Sequence, residues 1–391
     1  MSLFANVRAD RLIERIRDAG DASHPDARKA FEKLGKLGPG AIPKIIDALA
    51  GASKQETVAY VEVLAKLIDN KSFPYLVEGL IEGDPRTVAA ISWALTTSRS
   101  YSPALLLELL SNPQVPKPAI LDVLAHQRGR VAVRDLLMHA YNQEPNEKAA
   151  LFRIIGEVAD ESAIPELVSR VEGKDPIARM HIINILAKFN RPEVVQAVQS
   201  QLKDPNKFIR QAALNALTRM DSRGVEVESL CEMLRDPDLE VQNKAVDVVI
   251  KARHPDTMRF LVQVLRDENE YARRAAVEVL NELGTTRDIK ELLQSLRDDD
   301  WWVRSRAADA LGKIGGPRVV DAVLELIRDP DEEVRRAAIE ILNQTRDERA
   351  VKSLIEATRD PDWWVAERAV DALAEIGSVQ AVPALVSLLD Q

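Results

Sequence analysis

The chain repeats itself at a fixed interval. Asp298-Asp299-Asp300-Trp301-Trp302-Val303-Arg304, Asp329-Pro330-Asp331-Glu332-Glu333-Val334-Arg335 and Asp360-Pro361-Asp362-Trp363-Trp364-Val365-Ala366 are versions of one phrase. Their valines are 31 residues apart, since 334 − 303 and 365 − 334 give the same step. A period in this range confines a chain to stacked-repeat architectures, in which each copy is one supersecondary element. Within a copy, Val334, Ala337, Ala338, Ile341 and Leu342 fall at i, i+3, i+4, i+7 and i+8, the apolar face of one helix. Asp329 is expected to cap that helix, with Pro330 at its first position and Glu332 completing a capping box.

One apolar anchor per copy can be followed as Ile155, Leu186, Leu217, Val249, Leu280, Leu311, Leu342 and Leu373, and less regularly upstream as Leu124, Leu95, Leu64 and Leu34. These anchors predict twelve helix pairs. The second helix of each pair repeats too: Ile289, Leu292, Leu293 and Leu296 match Val320, Val323, Leu324 and Ile327, then Val351, Leu354, Ile355 and Thr358. A single pair cannot cover both of its apolar faces, so neighbours must stack. The expected fold is therefore all-α: one α–α superhelix, a solenoid of about twelve helix pairs over residues 1–391. Residues 1–22 read as a capping helix and 23–97 as divergent repeats. Residues 98–146, crowded by Pro103, Pro113, Pro116 and Pro118, read as irregular repeats with a bend, and 147–391 as regular repeats.

Composition narrows the function classes. Only 4% of residues are aromatic and 16 are glycine, which suits helices better than strands and turns. The net charge of −9 opposes binding to a phosphate backbone, so nucleic acid is not an expected partner. Cys231 is the single cysteine, which excludes an internal disulfide and fits a reducing compartment. No secretion signal or membrane-length apolar run is visible, and a cytoplasmic location is the default expectation.

The pattern Asp-Pro-Asp-x-x-Val-Arg-x-x-Ala, followed by Leu311-Gly312-Lys313-Ile314-Gly315, resembles HEAT repeats. More narrowly, it is similar to the short type named after phycobilisome lyases. The resemblance spans nearly the whole chain and is strongest from Asp204 onward. It implies a right-handed α-solenoid, with first helices on the convex side and second helices on the concave side. It does not imply one activity, because the fold carries scaffolds, lyases, hydroxylases and DNA glycosylases. Sequences of this kind also resemble the N-terminal region of larger bacterial multi-domain proteins such as serine/threonine kinases, although no kinase motif is present here.

Arg210, Arg273, Arg304 and Arg335 follow the valine position, where Gln242 and Ala366 depart. An anion-binding ladder is one meaning; a spine of bonds to loop carbonyls and to Asp267, Asp298 or Asp329 is the favoured one. Phe208, Tyr271, Trp302 and Trp364 stand at the residue before the valine position, and Trp301 and Trp363 one residue earlier. The intervening copy has Glu332 and Glu333 there, so these sites face water at least in part. Exposed aromatic pairs either meet a partner or cover the neighbouring proline turn. On the second helices, Arg259, Lys290, Asp321 and Lys352 form one outward column, and Gln263, Gln294, Glu325 and Glu356 another, with charge of both signs.

Catalytic signatures are missing: His24, His126, His139, His181 and His254 make no HExxH, HxxxH or His-Glu motif, and no phosphate loop or nucleophile elbow occurs. His24 and His254 read as turn residues, His181 as a core or rim residue, and Cys231 as a buried thiol. No cofactor or metal is implied. The final helix, expected from Ala381 to Leu389, is apolar throughout, which predicts cover by another copy, a partner or a C-terminal continuation. The functional expectation is a non-catalytic scaffold binding a protein or peptide through a groove and through Trp301, Trp302, Trp363, Trp364, Phe208 and Tyr271, with Arg259, Lys290 and Lys352 in the groove. Alternatives are a bilin-lyase-like or DNA-glycosylase-like enzyme of HEAT fold, or the regulatory region of a bacterial kinase.

Overall fold

The computed structural model describes residues 2–220 and 224–388, which are helical with no strand among them. The chain divides into two compact units, Met1–Ile185 and Leu186–Gln391. The first unit opens with a lone helix, Ser2–Ala19, and then alternates first and second helices. Its first helices are Pro25–Leu34, Lys54–Leu67, Pro85–Thr97, Lys117–His126 and Pro145–Val158, and Pro176–Leu186 closes it. The second helices between them are Ile42–Leu49, Phe73–Glu82, Ala104–Leu109, Val133–Ala140 and Ile164–Ser169. The second unit begins with Pro192–Ser200 and continues through first helices Lys207–Arg219, Leu239–Ala252, Glu270–Leu283, Trp301–Ile314, Glu332–Thr345 and Trp363–Ile376. Their second helices are Val227–Glu232, Thr257–Val264, Ile289–Ser295, Gly316–Leu324, Val351–Ala357 and Val382–Leu388. Each unit is a stack of such pairs in the α–α solenoid manner, and twelve first and twelve second helices occur among the described residues.

Stacking follows from the apolar faces. Glu270–Leu283 packs on Trp301–Ile314, which packs on Glu332–Thr345, which packs on Trp363–Ile376. Every anchor named above, from Leu34 to Leu373, is buried. The last second helix differs: Val382 and Val386, apolar in sequence, stay half exposed, and Leu389 lies outside the described residues.

The helix starts correct the expected capping. Helix Glu332–Thr345 is capped by Asp331, whose side chain accepts from Glu333 N, so Asp329 is not the cap and Glu332 occupies the first helical position. Asp329 instead accepts from Asp331 N at 3.0 Å, forming an Asx turn around Pro330. Two aspartates spaced by two divide the labour: the first shapes the turn and the second starts the helix. A true capping box occurs elsewhere, at Ser53 and Glu56, and starts helix Lys54–Leu67.

The proline-rich stretch keeps the pair spacing through Ala104–Leu109, Lys117–His126 and Val133–Ala140. Buried Gln127 substitutes for the missing phrase. Its amide nitrogen donates to the carbonyls of Leu95, Thr96 and Ser98 at 2.9–3.1 Å, and its oxygen accepts from Arg99 and Arg130. Five bonds on one side chain tie two neighbouring pairs together where backbone carbonyls would otherwise be orphaned.

Leu311→Ala is expected to cost about 2–5 kcal/mol in urea unfolding, because it empties a buried anchor shared by two stacked helices. Lys352→Ala, on an exposed second-helix position, is expected to stay within about 0.5 kcal/mol.

Candidate partner-binding site

The site is built on the arginine spine of the second unit. Arg210 donates from Nη1 to the carbonyls of Asp204 and Pro205, and from Nε and Nη2 to Asp236 of the next loop at 2.7 and 2.8 Å. Arg273 repeats this with the carbonyls of Asp267 and Glu268 and with Asp298, and Arg335 with the carbonyls of Asp329 and Pro330 and with Asp360. Each guanidinium closes its own loop and grips the next one with a bidentate bond. These pairs are shielded: Arg335 and Asp360 side chains are 12% and 9% exposed.

The spine alternates, which the repeat phrase alone did not disclose. At the joints between, Asp267 is held by Arg235 and Asp329 by Arg297, arginines that follow the second helices. Gln242, in the arginine position, donates to the carbonyl of Leu234 at 2.8 Å. Arg304 keeps the carbonyls of Asp298 and Asp299 but reaches Glu333 rather than Asp329. The expected set of aspartates thus holds for Arg273 and fails for Arg304.

A second lock follows the same alternation. Lys207 bonds Asp238 at 2.9 Å, Arg274 bonds Asp300 at 2.6 Å and Arg336 bonds Asp362 at 2.6 Å. Each of these aspartates is the cap of a first helix: Asp238 before Leu239, Asp300 before Trp301, Asp362 before Trp363. The guanidinium of Arg274 holds the Asp300 carboxyl below the usual carboxylate range, and Arg297 does the same to Asp329. A cap fixed by a cation of the preceding repeat fixes the first helical turn, and that turn carries the exposed apolar side chains.

Exposed or half-buried apolar side chains recur at the first turns of five of the six first helices that follow Pro192–Ser200, a ridge interrupted at Glu332 and Glu333. Trp301 is 61% exposed, Trp302 37% and Trp363 71%, and Phe208 and Tyr271 are also exposed. Trp364 is half-buried. Leu239, unnoticed in the sequence reading, joins them as an exposed apolar residue in the same first-turn position as Trp301 and Trp363. Trp301 meets Trp302 edge to face, with centroids 5.5 Å apart at 87°. A cation lies over each inner ring: Lys207 over Phe208, Arg274 over Tyr271, Arg306 over Trp302 and Arg368 over Trp364, at 5.1–5.5 Å. Arg306 and Arg368 are four residues beyond their tryptophans, a spacing that was readable in the sequence as one helical turn. These cations are themselves paired with carboxylates, Arg306 with Glu278 at 2.9 Å and Arg368 with Asp371 at 3.0 Å, so the ridge carries little free charge.

The second-helix columns are separate from the ridge. Arg259, Lys290, Asp321 and Lys352 are exposed, as are Gln263, Gln294, Glu325 and Glu356, and Asp321 pairs with Arg349 at 3.0 Å. His24 and His254 accept from Asp26 N and Asp256 N at helix starts, and His181 stacks on Phe152 at 4.9 Å. Cys231 is buried, which pushes its thiol up to about 12. No group of three or more His, Cys, Asp or Glu side chains is placed to hold a metal among the described residues, and no helix among them is long and apolar enough to cross a membrane.

The model of HEAT repeats matches residues 132–218, 227–301, 289–329 and 320–391, and the chain belongs to that family. No curated protein matches it. Among solved structures, Kap121p aligns over 96% of this chain and 49% of its own, with 14% identity and a TM-score of 0.51. Kap121p bound to Ste12p aligns over 98% of this chain and 50% of its own, again with 14% identity, at 0.52. The chain spans about half the length of these solenoids, and at this identity the likeness is one of fold.

Arg335→Ala is expected to cost about 3–5 kcal/mol, since it strands the shielded Asp360 carboxylate, whereas Arg304→Ala should cost about 1 kcal/mol. Equal losses in urea unfolding would refute the alternation. Asp300 and Asp329 carry depressed values in the fold, so their contribution is complete above the unfolded value of about 3.9 and is lost as pH falls below it. Thermal unfolding should therefore show a steeper loss below about pH 4 in the parent chain than in Asp329→Asn.

Proposed function

We propose that this HEAT-repeat protein is a non-catalytic scaffold whose first-turn ridge, Phe208, Leu239, Tyr271, Trp301, Trp302, Trp363 and Trp364, seats an apolar strip of a protein partner. The observation that carries this reading is the exposure of Trp301 and Trp363 on turns whose caps are locked from the preceding repeat. Water-exposed indoles on a rigid frame lose little conformational freedom when covered, and buried tryptophan dominates interface energetics. The cations stacked on the inner rings are neutralised in place, so covering the ridge strands few unpaired charges. The groove side, with Arg259, Lys290 and Lys352, is a secondary contact in this reading and supplies charge matching rather than affinity. Kap121p, a solenoid of the same architecture, is seen bound to Ste12p, which supports a protein-binding use of the fold.

The test compares affinity capture from extracts of the source cell by the parent chain, by Trp301→Ala/Trp363→Ala and by Lys290→Ala/Lys352→Ala. The ridge variant should lose captured partner at least tenfold while its thermal midpoint stays within a few degrees, and the groove variant should lose about twofold. A ridge variant that captures the same partner undiminished overturns the proposal.

A further inference from the structure

Several copies place a cation between successive first helices, and the joint after Pro85–Thr97 is among those that do not. Seven residues before the buried anchor of a copy stands the spine cation: Arg335 before Leu342, Arg273 before Leu280, Arg210 before Leu217, and Lys148 before Ile155. Lys148 bonds Asp175 of the following loop at 2.5 Å, in the manner of the arginines. Seven residues before Leu95 stands Val88. The loop that should offer the answering aspartate reads Asn112-Pro113-Gln114-Val115-Pro116 instead. Neither half of the salt bridge exists at this joint, and the Gln127 network ties the two pairs together at the far end of these helices.

A cleft of about 920 Å³ opens at this joint, between helices Pro85–Thr97 and Lys117–His126. Val88, Pro113 and Pro116 line it, together with Trp93, which is 48% exposed. Four of the regular copies carry Glu278, Asp309, Glu340 and Asp371 two residues before the anchor, where this copy has Trp93, so the tryptophan stands where those copies bear a carboxylate. Two ionisable groups line the cleft. Asp122, 69% exposed, lies 3.9 Å from Nδ1 of His126, whose Nδ1 also lies 2.8 Å from the carbonyl of Asp122. The cleft therefore has apolar walls, an indole and one solvent-facing carboxylate, with no lysine or arginine lining it.

We propose that this cleft is a second docking site, independent of the ridge, for a peptide segment of a partner that pairs an aromatic side chain with an adjacent lysine or arginine. The aromatic group takes the space vacated by the missing spine arginine, against Trp93 and the two proline rings, and the basic group meets Asp122. Charge complementarity selects this occupant. An acidic neighbour would face the carboxylate at close range, and a purely apolar segment would take water from it and leave only the His126 ring beside it.

The test titrates the full chain by calorimetry with three short probes: acetyl-Trp-Lys-amide, acetyl-Trp-Glu-amide and acetyl-Ala-Lys-amide. The first should bind at least fivefold more tightly than either of the others. Asp122→Asn should remove the preference for lysine over glutamate while keeping the preference for tryptophan over alanine. Trp93→Ala and Val88→Arg, which restores the spine cation, should each abolish binding with circular dichroism and thermal midpoint unchanged. Should Val88→Arg fail to fold, Ala119→Phe fills the same cleft from the opposite helix. Binding that is equal for all three probes, or that persists in the filled cleft, overturns the proposal. So does binding of dansylcadaverine, an aromatic amine with no peptide backbone, at strength equal to the first probe, because it would make the site one for a free small amine. Trp301→Ala/Trp363→Ala should leave these titrations unchanged, which separates the cleft from the ridge.

Discussion

Every joint in this molecule rests on a helix pair that cannot cover its own apolar faces. The anchors from Leu34 to Leu373 are buried by the neighbouring repeat, so the stability of a pair resides largely in its interfaces. Apolar stacking of this kind sets how close two pairs come but does little to set how they are turned, since Val, Leu and Ala contacts are non-directional. Direction comes from the loop spine. A bidentate arginine that closes its own loop and grips the next aspartate has one satisfactory geometry, and shielding from water makes departures from it costly.

The alternation of that spine has a structural logic. Where the arginine springs from the first helix, as in Arg210, Arg273 and Arg335, a neighbouring cation is left to reach the next cap: Lys207, Arg274 and Arg336. Where the grip comes from the end of a second helix, as in Arg235 and Arg297, the next caps are Asn269 and Asp331, and Arg304 turns to Glu333 instead. The locked caps therefore fall on every second repeat, and those are the repeats that begin with Leu239, Trp301 and Trp363. Leu239, Trp301 and Trp363 therefore sit on fixed turns, whereas the exposed Phe208 and Tyr271 follow the asparagine caps Asn206 and Asn269. A large apolar side chain on a fraying helix end would be an aggregation hazard; on a locked turn it is a preformed contact.

The repeat, its twelve copies and its buried anchors were legible in the sequence because each depends on spacing alone. The exposure of Trp301 and Trp363 was legible for the same reason, through Glu332 and Glu333 in the copy between. What escaped were features that depend on which partner a side chain chooses. Asp329 and Asp331 are both good caps by residue type, and only the turn around Pro330 decides that the second one starts the helix. Arg304 sits in the arginine register yet turns to Glu333, because Asp329 is already occupied by Arg297. Gln127 carries no repeat signal at all; its five bonds arise because the proline-rich joint leaves carbonyls that some amide must satisfy.

That same joint shows how a repeat protein acquires individuality. Each copy needs its anchor and its helix starts, but the cation seven residues before the anchor is replaceable wherever another tie holds the pairs. Gln127 is such a tie, and with it in place Val88 and the loop around Pro113 are released from the salt bridge. Losing a shielded ion pair to apolar groups is often neutral for stability, so the exchange is tolerated, while the space it opens is retained because backbone on both sides is fixed by the remaining stack. The regular copies thus define the expectation against which Trp93 and its cleft stand out.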